Sequence, residues 1–378
     1  MNNPFFKNWD TPFGTPPFND IKIEHYLPAF KEGIQEFLRE VSVIAENNNP
    51  PTFSNTIEAL EKSGLLLTNV RRVFDNLNSV ITNDEMQKIA LESAPLLSKI
   101  NDDLYLNPKL FSRIKSLNDK KDELNLNPEQ KKLLGDWYKS FVLGGANISD
   151  SDKGKLRKIN EELSVLFVKF SDNILKETNA IGLVIDNKDD LKGLPESVIQ
   201  GALETAKNKG LEGKWAFTLQ RASWTPFLQY SQKRELREKL YKAYINRGNN
   251  NNENDTKSLI NKIVNLRIQK ANLLGFKDFS SLALDRAMAK NPKNVSDFLT
   301  QLWTPAVKRA KAEVADMQKI IDNENGSFKL MPWDWWHYAE KVKKEKYDLD
   351  ESMLRPYFKL ENVVEGVFTL TSKLFGLK

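Results

Sequence analysis

A run of apolar residues spaced by three and four positions, between residues 149 and 178, constrains the fold of this chain more than any other feature. The run consists of Leu156, Ile159, Leu163, Leu166, Phe170 and Ile174. Residues at this spacing share one face of an α-helix, whereas a strand would show alternation. Ser149, with Asp152 three positions later, is a typical helix start. The pattern therefore predicts a helix of roughly 45 Å over 149–178, whose apolar stripe is interpreted as core rather than as a cofactor site.

Helix start and stop signals predict further helices along most of the chain, and two short alternating runs predict strands. The predicted helices cover 26–45, 55–77, 82–106, 128–143, 195–209, 226–246, 255–274, 278–289, 292–325, a segment that begins at 332 or 333, and 362–375. The predicted strands cover 181–185 and 215–219. Asn55 and Glu58 resemble a capping box for the second helix, which Gly64 is expected to weaken only modestly. The predicted fold class is therefore mainly α, a multi-helix body with a small β-ribbon.

A glycine pair at positions 144 and 145, directly after the predicted helix 128–143, is the best candidate boundary in the first half of the chain. At 378 residues the chain is long enough for two or three core-forming units. We therefore predict an N-terminal helical region over 1–145 and a second helical region, with the β-ribbon, over 146–378. The polar segment 247–255, RGNNNNEND, is interpreted as a solvated loop.

Charge and composition argue against several classes of protein. The 56 basic and 51 acidic residues are interleaved along the chain, which argues against a nucleic-acid-binding surface. No segment has 18 consecutive apolar residues, so no membrane span is predicted. The first fifteen residues lack the pattern of a signal peptide, and there is no cysteine for a disulfide. These features predict a cytoplasmic protein, with a secreted mature form that has lost its signal peptide as the alternative.

The sequence contains no recognisable catalytic motif, and its scarcity of histidine is the strongest observation. A catalytic zinc needs about three protein ligands, two of which a helix can supply through His-Glu-x-x-His. The chain has only His25 and His337, and neither lies in such a motif. His337 and Glu340 have the spacing of a metal-binding pair, but a metal role for them is disfavoured. No nucleophile elbow or phosphate-binding glycine motif occurs either, so we predict no catalytic and no metal-binding residue here.

The segment 330–358 combines tryptophan, tyrosine and phenylalanine with dense charge. Pro332 and Trp333 suit a helix start because proline is tolerated in the first turn, and the helix dipole favours a carboxylate such as Asp334 there. From the residues alone, the preferred interpretation is a surface helix anchored by aromatic side chains, with Asp334 as a cap. The alternative for Asp334 is a carboxylate that the neighbouring tryptophans desolvate.

The same segment resembles the peptidyl-dipeptidase branch of the thimet oligopeptidase and neurolysin family of zinc metallopeptidases. The resemblance consists of Pro-Trp-Asp-Trp at 332–335, Tyr-Ala-Glu at 338–340 and Asp-Leu-Asp-Glu at 348–351. Family-like strings also occur in the same order at 55–57, 59–61, 141–143, 145–146, 254–256 and 273–276. Collinear strings over most of the chain are harder to obtain by chance than any one of them.

The resemblance implies a neurolysin-like N-terminal lobe that forms one side of a channel for short peptides. It implies that the complete enzyme releases dipeptides from peptide C-termini, with zinc held by a catalytic half that follows this lobe and is its partner. The residues assigned to the substrate channel on this basis are Trp333, Asp334, Trp335 and Tyr338. No catalytic or zinc-binding residue of the family has a counterpart here, so the chain is expected to hold no cofactor and to be inactive alone. The alternative is a non-enzymatic, all-helical module that binds peptides or a protein through the same aromatic residues.

Overall fold

The computed structural model describes residues 2–349 and 351–377, and 71% of the structure is helical. The first helices are α1 (Tyr26–Ala45), α2 (Ala59–Lys62), α3 (Leu65–Ile81), α4 (Asp84–Tyr105), α5 (Pro108–Asp119), α6 (Pro128–Leu143), α7 (Asp150–Thr178) and α8 (Glu196–Asn208). They are followed by α9 (Arg221–Tyr230), α10 (Arg234–Ile245), α11 (Lys257–Leu273), α12 (Phe279–Leu284), α13 (Pro292–Asn323), α14 (Trp335–Tyr347), α15 (Glu351–Leu354) and α16 (Leu360–Phe375). No helix in the described ranges is long and apolar enough to cross a membrane.

Two short strands, β1 (Ile181–Ile185) and β2 (Trp215–Thr218), pair antiparallel. The register places Ile185 opposite Trp215 and Ile181 opposite Thr218, with an irregularity near Gly182. The predicted fold class, mainly α with a small β-ribbon, is therefore confirmed.

The chain divides into two compact units, each made of two segments. The first unit comprises Met1–Leu175 and Asn251–Asp297, and the second comprises Lys176–Asn250 and Phe298–Lys378. The boundary predicted at Gly145 falls inside the first unit, because α11 returns to pack Ile263 against the apolar stripe of α7. The compact units thus do not coincide with 1–145 and 146–378, and that division stays a prediction.

The core of the first unit contains the stripe predicted for α7. Leu156, Ile159, Leu163 and Leu166 are all less than a tenth exposed, and the last three pack with Ile263 of α11. The helix begins where predicted, since the Ser149 hydroxyl accepts a hydrogen bond from the Asp152 N–H. Burial of this stripe follows from the three-four spacing, because residues at this spacing lie on one face of the helix.

The prediction of one continuous helix over 55–77 was wrong, because the helix is interrupted at Gly64. Gly64 has φ +74°, a left-handed conformation that glycine adopts most readily, and its N–H donates to Oε2 of Glu40 at 2.6 Å. A Cβ at this position would lie 2.7 Å from the Phe37 ring. The segment therefore forms α2 and α3 instead of one helix, and the start is capped by Thr52 with Asn55, not by Asn55 with Glu58.

The core of the second unit is built around the ribbon. Large buried side chains from both strands, α9 and α10 pack together, namely Leu183, Ile185, Phe217, Phe227, Leu228 and Leu240. The single helix predicted over 226–246 was wrong, since α9 begins earlier, at Arg221, and a break at Ser231 separates it from α10. The predicted helix 278–289 is also shorter than expected and ends at Leu284.

A one-turn 3-10 helix, Pro332–Asp334, leads into α14, so the predicted helix start is confirmed. One side of α14 places Trp336 against the ribbon core, and another places Tyr338 against Met317 and Ile321 of α13. Asp350, which belongs to the Asp-Leu-Asp-Glu string, lies outside the described residues. Farther along the chain, α16 exposes apolar side chains on more than one face, including Val367, Phe368, Leu370 and Leu374.

Candidate functional site

The second unit contains a cavity of about 630 Å³ beside α14, here called the α14 cavity. Its wall includes Gln229 from α9, Arg234 and Arg237 from α10, and His337 and Tyr338 from α14. This volume is in the range that accommodates small ligands and short peptide segments. The cavity is therefore the candidate for the binding site predicted from the aromatic segment.

A buried ion cluster lies at the base of this cavity. Asp334, which is fully buried, accepts hydrogen bonds from Nε and Nη2 of Arg234 at 3.1 and 2.9 Å, and from Nη2 of Arg237 at 2.9 Å. Arg237 is 2% exposed, and its Nη1 donates to the Ser231 carbonyl at 2.8 Å. Direct contact with the guanidinium groups balances the negative charge of Asp334, as a buried carboxylate requires. The cluster fixes where α10 and the start of α14 meet.

Asp334 also performs the predicted capping role. Its Oδ2 accepts a hydrogen bond from the Met331 N–H at 3.1 Å, which closes the first turn before α14. One side chain thus caps the turn before α14 and binds both arginines. Asp334 is therefore both a helix cap and a desolvated carboxylate, because the turn that it caps is buried.

The break between α9 and α10 brings the arginines to this position. The Gln232 N–H donates to the Lys192 carbonyl at 3.0 Å, so backbone from before α8 holds the break. Gly193 lies beside it with φ +91°, and a Cβ there would come within 2.3 Å of the Tyr230 carbonyl oxygen. Only glycine permits this close approach. The first turn of α10 then carries Arg234 and Arg237 toward Asp334.

His337 is held in one tautomer at the cavity wall. Its Nδ1 lies 3.1 Å from the Gln229 carbonyl oxygen, which can only accept, so Nδ1 carries the proton and Nε2 is an acceptor in the neutral ring. Burial, followed by the positive charges of Arg237 and Lys341, lowers the pKa of His337 to about 4. The ring is therefore neutral at neutral pH and offers a hydrogen-bond acceptor rather than a charge.

The rim of the cavity carries charges of both signs. Lys341 Nζ lies 2.7 Å from Oε1 of Glu324, and the Glu340 carboxylate accepts hydrogen bonds from Lys343 at 2.6 Å and from Gln229 at 3.1 Å. Donors, acceptors and the face of Tyr338 thus surround one space. Such a surface suits a polar ligand with amide groups, and its chemistry is that of binding rather than of bond breaking.

Comparison with known proteins shows which proteins this chain resembles. Residues 227–378 match the sequence profile of Peptidase family M3. The chain is 39% identical over 377 residues to a dipeptidyl carboxypeptidase of Escherichia coli (strain K12), an alignment that covers all of this chain and 55% of the relative. It is 32% identical over 369 residues to an oligopeptidase A of Haemophilus influenzae, covering 97% and 54%. A thimet-like oligopeptidase of Dictyostelium discoideum is 24% identical over 372 residues, covering 94% and 53%.

The chain is thus similar to members of peptidase family M3 along its whole length. The resemblance to a dipeptidyl carboxypeptidase is confirmed, and the chain spans about half the length of the relatives it matches.

The four residues predicted to line a channel lie in different surroundings in the structure. Tyr338 lines the α14 cavity, and Asp334 lies beneath it as the counterion of the arginines. Trp333 packs against Tyr241, with ring centroids 6.3 Å apart. Trp335 borders a different cavity of about 250 Å³. The assignment of all four to a substrate channel stays a prediction.

Sequence reasoning missed Arg234, Arg237 and Gln229 as parts of this site. The available signal was two arginines three positions apart, which share one side of a helix, together with a lone aspartate among tryptophans. The pairing could not be located from the sequence, because about one hundred residues separate the partners.

The residues that the structure describes do not fit a catalytic zinc of the kind that family M3 uses. Within the ranges that the structure describes, no group of three or more His, Cys, Asp or Glu side chains is placed to hold a metal ion. His337 and Glu340 border the same cavity, but His337 is oriented by the Gln229 carbonyl and Glu340 is paired with Lys343. Both side chains are thus engaged by protein groups.

Proposed function

We propose that this chain is the non-catalytic, N-terminal part of a peptidyl-dipeptidase of family M3, an enzyme that releases dipeptides from the C-termini of short peptides. The observation that carries the proposal is the 39% identity to a dipeptidyl carboxypeptidase over the whole of this chain. Since the chain spans 55% of that relative, the activity belongs to the assembled peptidase and not to this portion alone.

In this proposal the α14 cavity borders the path of the peptide substrate. Tyr338 lines the cavity, and His337 offers a neutral acceptor. Both suit an extended peptide, whose backbone has donors and acceptors to satisfy. Trp333, Asp334 and Trp335 act by holding the start of α14 in place. The cytoplasmic location expected from the sequence stays a prediction.

Zinc and the catalytic groups come from the polypeptide that this chain does not span, which is its proposed partner. The absence of a three-ligand group among the described residues is compatible with this division of labour. The alternative, a non-enzymatic peptide-binding module, is not favoured, because the match to dipeptidyl carboxypeptidase extends along the entire chain.

A chimera tests the proposal. The matched segment of the Escherichia coli relative is replaced by this chain, and release of dipeptides from a short peptide is measured for the chimera and for this chain alone. We expect chelator-sensitive dipeptide release from the chimera and none from the chain alone. A chimera that is folded by circular dichroism and contains stoichiometric zinc, yet releases no dipeptide, would contradict the proposal. Dipeptide release by the chain alone would contradict it equally.

Tyr338→Ala in the active chimera tests the role of the cavity. We expect a KM for the peptide raised about tenfold with kcat little changed, since the side chain contributes to binding and not to the chemical step. Tyr347→Ala, an exposed tyrosine on the same helix, is the matched control and should leave KM unchanged.

A further inference from the structure

A second cavity, of about 570 Å³, lies in the first unit and is independent of the proposed peptidase role. Its walls come from α4, α7 and α11, and Leu97, Leu163 and Phe167 form much of the apolar lining. Lys270 of α11 also lines this space, which we call the Lys270 cavity. Lys270 differs from the solvated lysines that cover most of the surface, because it is partly buried beside a cavity with a partly apolar lining.

Three polar side chains form a chain of hydrogen bonds across the wall. Nζ of Lys270 donates to Oδ1 of Asn160 at 2.7 Å, and Nδ2 of Asn160 donates to Oδ1 of Asp102 at 2.6 Å. A neutral amide thus separates the amine from the carboxylate, and the two form no direct ion pair. Asp102 is 5% exposed. The arrangement holds the amine in place without saturating it, because a primary amine that donates one proton to Asn160 keeps other positions for a ligand.

Burial acts on both ends of this chain of hydrogen bonds. It lowers the pKa of the Lys270 amine, against the opposing effect of Asp102, and it raises the pKa of the Asp102 carboxyl, against the effects of Asn160, Arg157 and Lys270. Asp102 on α4 and Arg71 on α3 border the cavity, and the charges of Arg157 on α7 and Asp103 on α4 act on Asp102. A lysine with a lowered pKa has more of its amine unprotonated at neutral pH, which is the nucleophilic form.

We propose that the Lys270 cavity is a binding site for a small apolar aldehyde, which Lys270 captures as an imine. The amine adds to the carbonyl carbon, a C–N bond forms, and a proton moves from nitrogen to oxygen to give a carbinolamine. The carbinolamine hydroxyl then leaves as water while the nitrogen loses its remaining proton and the C=N bond forms. No oxidant or reductant takes part. The apolar lining favours the aldehyde side chain and the release of water.

Reductive trapping tests the site. The full chain is treated with benzaldehyde and sodium cyanoborohydride at neutral pH, and benzylated lysines are quantified by peptide mass mapping. We expect Lys270 to be benzylated about tenfold faster than the exposed lysines, because a lower amine pKa leaves a larger unprotonated fraction. Benzylation spread over exposed lysines with Lys270 unmodified would overturn the proposal. This measurement requires no variant, so a folding defect cannot confuse it.

Variants sharpen the assignment. Lys270→Arg should abolish the fast benzylation, whereas Lys262→Arg, at an exposed lysine on the same helix, should leave it unchanged. Asp102→Asn removes a negative charge while keeping an acceptor for Asn160. The pH midpoint of Lys270 benzylation should therefore move to lower pH, since Asp102 favours the protonated amine. An unchanged midpoint would mean that Lys270 behaves as an ordinary surface amine, and it would overturn the proposal.

Discussion

The two units each contain a buried carboxylate, and the carboxylates are compensated in different ways. In the second unit Asp334 contacts two guanidinium groups directly, within 3.1 Å. In the first unit Asp102 reaches Lys270 only through the neutral amide of Asn160. Two positive charges stabilise Asp334, whereas burial still raises the pKa of Asp102.

This difference gives the two clusters different roles: the Asp334 cluster is structural, whereas the Asp102 cluster leaves an amine that can react. Direct pairing engages both oxygens of Asp334, so this carboxylate can hold helices together but has little capacity left to bind a ligand. A bridged pair leaves an amine beside open space, which is the condition for reactivity. The comparison predicts a large loss of stability for Asp334→Asn and only a small change for the same isosteric substitution at Asp102.

The largest effect is expected for Asp334→Asn. The substitution leaves two arginines, one of them fully buried, without their counterion, and it should lower the free energy of unfolding by about 3–5 kcal/mol. Urea titration followed by tryptophan fluorescence measures the loss. Glu324→Gln is the control, because its ion pair with Lys341 is partly exposed and should contribute about 0.5 kcal/mol or less. A loss for Asp334→Asn no larger than the control would refute the structural role of the cluster.

A second effect concerns the pH dependence that His337 confers. The pKa of the folded ring is about 4 and that of an unfolded histidine about 6.5, so the unfolded chain binds more protons between these values. The free energy of unfolding should therefore fall as the pH drops from about 6.5 to about 4, by on the order of 3 kcal/mol. Above pH 6.5 this group should have no effect.

His337→Gln separates this contribution from that of other groups. Glutamine can still donate to the Gln229 carbonyl but does not titrate. The difference in unfolding free energy between the original chain and the variant should depend on pH only in the acid window. If both proteins lose stability in parallel on acidification, the effect does not come from His337.

The smallest effect is expected for Asp102→Asn. Asparagine keeps an acceptor for the Asn160 amide, and burial already disfavours the charged form of Asp102. The free energy of unfolding at neutral pH should change by less than about 1 kcal/mol. Urea titration of both variants under the same conditions compares their free energies of unfolding directly. A loss as large as that of Asp334→Asn would show that the Asp102 charge is as important to folding as that of Asp334.

Local patterns predicted much of the fold. The three-four spacing and its cap located α7, and proline and asparagine signals located α1 and α6 at their observed ends. The prediction was wrong at Gly64 and at Ser231, where helices were expected to continue. Gly64 is explained by its left-handed conformation and by the proximity of Phe37, which is distant in sequence.

The candidate site depended on information that the local sequence does not contain. The break after α9 carries no proline or glycine, and its backbone is held by Lys192 and by Arg237. The aromatic segment indicated the neighbourhood and Tyr338, but not the arginines that meet Asp334. The position of the site thus depends on charge pairing between residues distant in sequence, which hydrophobic periodicity cannot predict.

The break after α9 also has an electrostatic consequence. The cluster contains two guanidinium groups but only one carboxylate, which leaves an excess of positive charge in the core. The Ser231 carbonyl that binds Arg237 caps the C-terminus of α9, where the aligned peptide dipoles of a helix amount to about half a negative charge. An uninterrupted helix would have engaged this carbonyl in its own backbone ladder. Interrupting the helix therefore supplies a fractional counterion from the backbone itself, and Arg237 can remain buried without a second acidic side chain.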